Sequence, residues 1–169
     1  MKPTKRSVYI LFVVLFTIAI DQITKVVARK YISYGEVISV IGDYFTLLKV
    51  ENEGAFLGMG SELGPTLRLL FLLILPIVVL GLVLYHILKD KTLNKLSLFA
   101  FASIIGGGIA NVYDRIVYGS VTDFFFIDLG GVFKTGIFNM ADLSVTTGIA
   151  ILVILSFKKK PNSPEKLKS

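Results

Sequence analysis

The 169-residue chain has no cysteine and a single histidine, His86. Disulfides, thiolate metal sites and cysteine nucleophiles are therefore excluded. One histidine, set beside Lys89 and Asp90, argues against a Ser-His-Asp triad, an HExxH zinc site or a multi-histidine metal centre. Polar groups are nearly absent from four stretches, residues 8–20, 71–85, 99–105 and 149–155. A channel or transporter needs polar groups near the midplane with access from both sides, so these stretches argue against one. The composition is 54% hydrophobic with a mean hydropathy of +0.75, too apolar for an ordinary soluble domain. It fits a small polytopic membrane protein.

Four segments can cross a bilayer: about 7–28, 66–88, 93–113 and 138–157. The expected fold is an all-α membrane domain of four transmembrane helices, spanning 1–169. Extracytoplasmic loops run over about 29–65 and 114–137, and a mobile basic tail over 158–169. Eleven of the 18 Lys and Arg residues flank one side: Lys2, Lys5, Arg6, Lys89, Lys91, Lys95, Lys158, Lys159, Lys160, Lys166 and Lys168. Only Asp90 and Glu165 accompany them there. The positive-inside rule makes this side cytoplasmic, with both termini inside. The net charge of +6 thus reads as a topology signal toward anionic lipid, not as nucleic-acid binding. The first span has a basic start, like a signal peptide, but no A-x-A-like site follows it and it reads as retained.

The long outer loop carries β-branched and aromatic runs at 37–41 and 44–50, separated by Gly42 and Asp43. They predict a short hairpin or small sheet on the outer surface. Residues 52–60 read as a Gly-rich turn re-entering the interface. Pro76 is expected to kink the second span, since neighbouring helices can satisfy the freed carbonyl.

Acidic residues interrupt the outer parts of the spans. A carboxylate at the edge of hydrocarbon is costly and marks a functional candidate. At 1.5 Å rise per residue, Asp21 lies roughly 21 Å above the start of the first span. Asn111 lies roughly 22 Å above Leu96, and Asp142 roughly 22 Å above Phe157. Three helices therefore place Asp21, Asn111 and Asp142 in one layer, with Asp114, Arg115 and Asn139 just above it. Each also has a plain structural reading. Asn139 can cap the fourth span with Asp142 completing a capping box. Asp21 can pair with Lys25 at i+4, and Asp114 with Arg115. Asp123 can be a solvated loop acid, and Asp128 part of an ordinary turn. Gly106, Gly107 and Gly108 fit close helix packing. Phe124, Phe125, Phe126 and Phe133 read as an interfacial belt. Two carboxyls sharing a site hold one proton between them near neutral pH. Such a pair can activate a water and protonate a carbonyl, cleaving an amide without metal, cysteine or histidine. Depth alone favours Asp114 with Asp142 for that pair.

Five motifs resemble those of the lipoprotein signal peptidases, also called signal peptidase II. They are Asp21-Gln22-x-x-Lys25, Asn52-x-Gly54-Ala55-Phe56, Gly107-x-x-x-Asn111-x-x-Asp114-Arg115, Val121-x-Asp123-Phe124 and Phe138-Asn139-x-Ala141-Asp142. Their order and the four-span topology agree along nearly the whole chain. The resemblance implies a cofactor-free aspartic endopeptidase of the bacterial cytoplasmic membrane. Such enzymes cut a prolipoprotein before its diacylglyceryl-modified cysteine, at the extracytoplasmic side. It puts the catalytic dyad on Asp123 and Asp142, which replaces the depth-based choice of Asp114. Asp21, Lys25, Asn52, Gly54, Asn111, Asp114, Arg115 and Asn139 match substrate-binding or supporting positions, and no metal is implied. Membrane lipids and globomycin-type cyclic peptides are the further implied partners. Leu143, Ser144 and Glu53 depart from the family's frequent residues and bear on substrate preference. Two rival functions are a protein that binds lipidated precursor chains without cutting them, and an ion carrier. The apolar inner halves speak against the second.

Overall fold

The computed structural model describes residues 4–54 and 64–158. The Gly-rich turn from residue 55 and the tail beyond Lys158 lie outside the described residues. Four long apolar helices dominate: α1 (Lys5–Tyr31), α2 (Pro65–Lys89), α3 (Lys95–Tyr118) and α4 (Met140–Lys158). All four are long and apolar enough to cross a membrane. A three-stranded antiparallel sheet completes the fold, in the order β1 (Val37–Ile41), β2 (Phe45–Asn52), β3 (Val121–Ile127).

Local chemistry sets the helix ends. Thr4 accepts from the Ser7 N–H at 3.2 Å and starts α1. Asn94 accepts from the Ser97 N–H at 2.8 Å and starts α3. Gly119 stops α3 at φ 78°, a left-handed conformation that costs glycine little. Within α2, Leu69–Ile74 forms a π-helical stretch just before Pro76. Proline offers no N–H and its ring crowds the carbonyl four residues back, here Leu72, so the ladder loosens locally. The expected kink is thus met by a change of helix type.

α3 is the hub, with half of its apolar window buried, and α1, α2 and α4 pack around it. The triple glycine explains how. A Cβ on Gly106 would lie 2.7 Å from Thr17 Cβ on α1. On Gly107 it would lie 2.5 Å from the Ala141 carbonyl oxygen on α4, and on Gly108 2.6 Å from Leu80 on α2. Successive helical residues turn by about 100°, so three adjacent glycines face three different helices. Each lets a neighbour approach as close as its backbone. From Ile105 toward the start of α3, Ile10, Val13, Ile87, Leu98, Ala102 and Ile105 form an apolar core. The outward faces are rich in exposed Leu, Ile, Val and Phe, as hydrocarbon surroundings require.

The sheet stands beyond the C-terminal ends of α1 and α3. The hairpin β1–β2 matches the sequence reading, whereas β3 is a strand within the segment 114–137, which span lengths place in a loop. Phe124 is 4% exposed and packs on Ala28 and Ile32, so it belongs to the sheet–α1 core and not to an interfacial belt. Phe125 meets Phe45, Phe124 and Phe138.

Candidate active site

On α1, Asp21 and Lys25 stand one turn apart and both are fully buried. Lys25 Nζ lies 2.8 Å from Asp21 Oδ2, 2.8 Å from Asp114 Oδ2 and 2.8 Å from Asn111 Oδ1. One ammonium thus faces two carboxylates and donates a hydrogen bond to Asn111. Asp114 does not pair with Arg115, as the sequence spacing had allowed. Its partners are Lys25 and, at 3.3 Å, Arg29 on α1. Asp114 points toward α1, whose two cations compensate it in an apolar setting. Gln22, from the same motif as Asp21 and Lys25, donates to both Asp21 (3.2 Å) and Asp114 (3.0 Å).

Asp21 has a second task. Its Oδ1 accepts from the backbone N–H of Ala141 at 2.8 Å, pinning the start of α4 to α1. Asn139 and Asp142 form the expected capping box. Asp142 N–H donates to Asn139 Oδ1 at 2.9 Å, and Asn139 N–H donates to Asp142 Oδ2 at 3.2 Å. Asn111 Nδ2 adds a bond to Asp142 Oδ1 at 2.9 Å. The layer inferred from helix rise is therefore one connected set: Lys25 links Asp21 to Asn111, and Asn111 reaches Asp142.

β3 delivers the last carboxylate. Phe138 bridges to Phe125: its N–H donates to the Phe125 carbonyl and its carbonyl accepts from Phe125 N–H, both at 2.9 Å. This places Asn139 beside the strand. Asn139 Nδ2 donates to Asp123 Oδ1 at 2.6 Å and to Asn111 Oδ1 at 3.2 Å. Asn52, at the end of β2, donates to Asp123 Oδ2 at 2.9 Å. Asp123 is 3% exposed, so it is not a solvated loop acid. Asn139 touches both carboxylates at once. Arg115 closes the site from α3. Its Nη2 donates to the Gly54 carbonyl at 2.8 Å and its Nη1 to the Asn111 carbonyl at 3.2 Å. Ala55 and Phe56, the rest of that motif, lie outside the described residues.

Burial pushes the Asp123 carboxyl up to about 6, and the nearby Asp142 charge adds to the rise. Hydrogen bonds from Asn52 and Asn139 act the other way. Asp142 is half-buried and opens on a groove of about 470 Å³. Ile127, Phe133, Phe138 and Leu143 line it together with Lys134 and Asp142, a mostly apolar wall that includes one carboxylate. Such a groove suits an apolar chain held against the Asp142 carboxyl.

Residues 13–158 match the family model of signal peptidase (SPase) II. The chain belongs to the signal peptidase II family. It is 35% identical over 164 residues to a lipoprotein signal peptidase of Borrelia hermsii, covering 94% of each chain. It is 38% identical over 157 residues to one of Pelodictyon phaeoclathratiforme, covering 88% of this chain and 90% of that one. A solved structure of a bacterial membrane enzyme superposes with a TM-score of 0.79 at 27% identity, covering 92% and 94% of the two chains. As a signal peptidase II, the protein is a membrane-bound aspartic protease that removes signal peptides from prolipoproteins. Every motif that carried the resemblance contributes a side chain or carbonyl to the one hydrogen-bonded cluster just described.

Proposed function

We propose that Asp123 and Asp142 are the catalytic dyad, and that they cleave a prolipoprotein before its diacylglyceryl-modified cysteine. The observation that carries this reading is that two carboxyls from separate elements share one asparagine, Asn139, and that one of them, Asp142, lines a mostly apolar groove. Asp123, raised to about 6, holds the proton that the pair shares. Asp142, as carboxylate, takes a proton from water while that water attacks the scissile carbonyl carbon. Asp123 donates its proton to the carbonyl oxygen. The tetrahedral intermediate collapses as the carbonyl re-forms. The proton held by Asp142 passes to the leaving amine of the cysteine, and the hydroxyl proton returns to Asp123. Both carboxyls thus recover their starting states.

The supporting residues have distinct parts in this reading. Asn139 and Asn111 orient the carboxyls, Asn52 holds Asp123, and Lys25 with Asp21 and Asp114 fixes the helices beneath them. Arg115 holds the Gly54 carbonyl and leaves that strand end in place for the substrate backbone. The groove beside Asp142 takes apolar substrate chain or lipid, and globomycin-type cyclic peptides compete for it. The protein lies in the bacterial cytoplasmic membrane. Lys89, Lys91, Lys95 and Lys158 stand at the cytoplasmic ends, and the sheet and site at the extracytoplasmic side.

The test is product mass after incubating purified protein with diacylated prolipoprotein in detergent. The expected products are a free signal peptide and a chain beginning at the lipidated cysteine. Unchanged precursor mass with retained binding supports a non-catalytic binder of lipidated chains instead.

A further inference from the structure

Behind the site lies a second polar group that the mechanism does not use. Arg29, in the last turn of α1, donates through Nε to Thr122 Oγ1 at 2.7 Å. Thr122 is completely buried and donates in turn to Glu51 Oε1 at 2.9 Å and Oε2 at 3.1 Å. Ser120 donates to the same carboxylate at 2.8 Å. Glu51 and Thr122 are register partners across β2 and β3, directly beside the pair Val50 and Asp123. The guanidinium of Arg29 stacks 4.0 Å from the centre of the Tyr118 ring and lies 3.3 Å from Asp114 Oδ2.

These contacts extend the Asp114–Lys25–Asp21 cluster into one continuous chain. At one end Asp21 grips the Ala141 N–H, adjacent to Asp142. At the other Arg29 grips the Thr122 hydroxyl, adjacent to Asp123. Asp21, Lys25 and Arg29 are spaced i, i+4 and i+8, on one face of a single helix about 12 Å apart end to end. A helix is stiff, so its polar face fixes the distance between the two gripped backbones.

We propose that Arg29, Thr122 and Glu51 are positioning residues that hold β3 against α1 and so set Asp123 at its working distance from Asp142. The Thr122 hydroxyl is the essential link, because among the described residues it joins the cation on α1 to the carboxylate on β2. The inference rests on the Asp123–Asp142 dyad of the proposed function. A misplacement of about 1 Å at a reacting group can cost on the order of 100-fold in rate without altering binding.

The test compares Thr122→Val, Thr122→Ser and Glu51→Gln in the purified full chain, with lipidated prolipoprotein as substrate and Asp123→Asn alongside. Thr122→Val is expected to lower kcat about 10- to 100-fold with KM changed less than about twofold. Thr122→Ser, which keeps the hydroxyl, restores kcat. Glu51→Gln keeps the side-chain shape and supplies a second reading should the valine variant fold poorly; its kcat falls in the same direction. Wild-type kcat in both Thr122→Val and Glu51→Gln overturns the positioning role while Asp123→Asn stays inactive. Equal losses in Thr122→Val and Thr122→Ser also overturn it. Full activity of Asp123→Asn removes the dyad itself, a separate failure.

Discussion

Replacing Lys25 by methionine removes one charge and little volume from a fully buried ion cluster. The ammonium makes three 2.8 Å contacts, to Asp21, Asp114 and Asn111, with no solvent exposure on Lys25, Asp21 or Asp114. Two cations, Lys25 and Arg29, balance the two carboxylates. Without Lys25 one carboxylate is left uncompensated. Arg29 stays near Asp114 at 3.3 Å, but Asp21 retains only the amide of Gln22 and the Ala141 N–H. Breaking a buried pair in this way costs about 3–5 kcal/mol, most of it the penalty of the stranded charge. Removing that charge as well recovers much of the loss, so Asp21→Asn with Lys25→Met should be more stable than the sum of the single changes by at least about 1 kcal/mol. Chemical unfolding in detergent micelles, followed by a tertiary-structure probe, measures all three variants. A Lys25→Met loss below about 1 kcal/mol, or strict additivity in the double variant, would refute the assignment of a buried charge-balanced cluster.

Other outcomes follow from the same geometry. Gly107→Ala puts a Cβ 2.5 Å from the Ala141 carbonyl oxygen and 2.9 Å from Val145 Cγ2, pushing α4 and Asp142 away from α3. It should cost about 1–3 kcal/mol, read in the same unfolding assay, and lower kcat. Arg115→Lys loses the planar fork that reaches both Gly54 and Asn111, so cleavage should fall while unfolding free energy changes little. Asp123 shows a pH signature of its own. Its carboxyl is raised from 3.8 to about 6 on folding, so the folded state binds the extra proton. The contribution of this group is fully favourable below pH 3.8 and is lost as pH rises through 6. Wild-type stability relative to Asp123→Asn should therefore decline between pH 4 and pH 7, by an amount on the order of 2–3 kcal/mol. A flat difference across that range contradicts the raised carboxyl.

Helix count, the outer hairpin and the polar layer were legible because each rests on one dimension. Span length against bilayer thickness picks out the four helices, and helix rise places Asp21, Asn111 and Asp142 at one level. The direction each side chain points was not legible in the same way. Asp114 and Arg115 are sequence neighbours, yet Asp114 turns to Lys25 and Arg29 on α1 while Arg115 turns to Gly54. On spacing alone Asp123 has the plain reading of a solvated loop acid, because span lengths place residues 114–137 in a loop. Its β-branched and aromatic run, Val121 to Phe126, is a strand signal, but the strand pairs with β2 about 70 residues earlier, and only that pairing buries it. The parts played by Arg29, Thr122 and Glu51 are illegible in the sequence for the same reason. Each bonds across elements distant in sequence, and none belongs to a spacing pattern within one helix except Arg29, which continues the Asp21–Lys25 stripe at i+8.

The most direct measurement is the single-turnover cleavage of a diacylated prolipoprotein by Asp123→Asn and Asp142→Asn, each first shown to be folded and to bind the precursor. Both variants should bind substrate and leave it uncut. Processing at the wild-type rate by either one would contradict a two-carboxylate mechanism at this site.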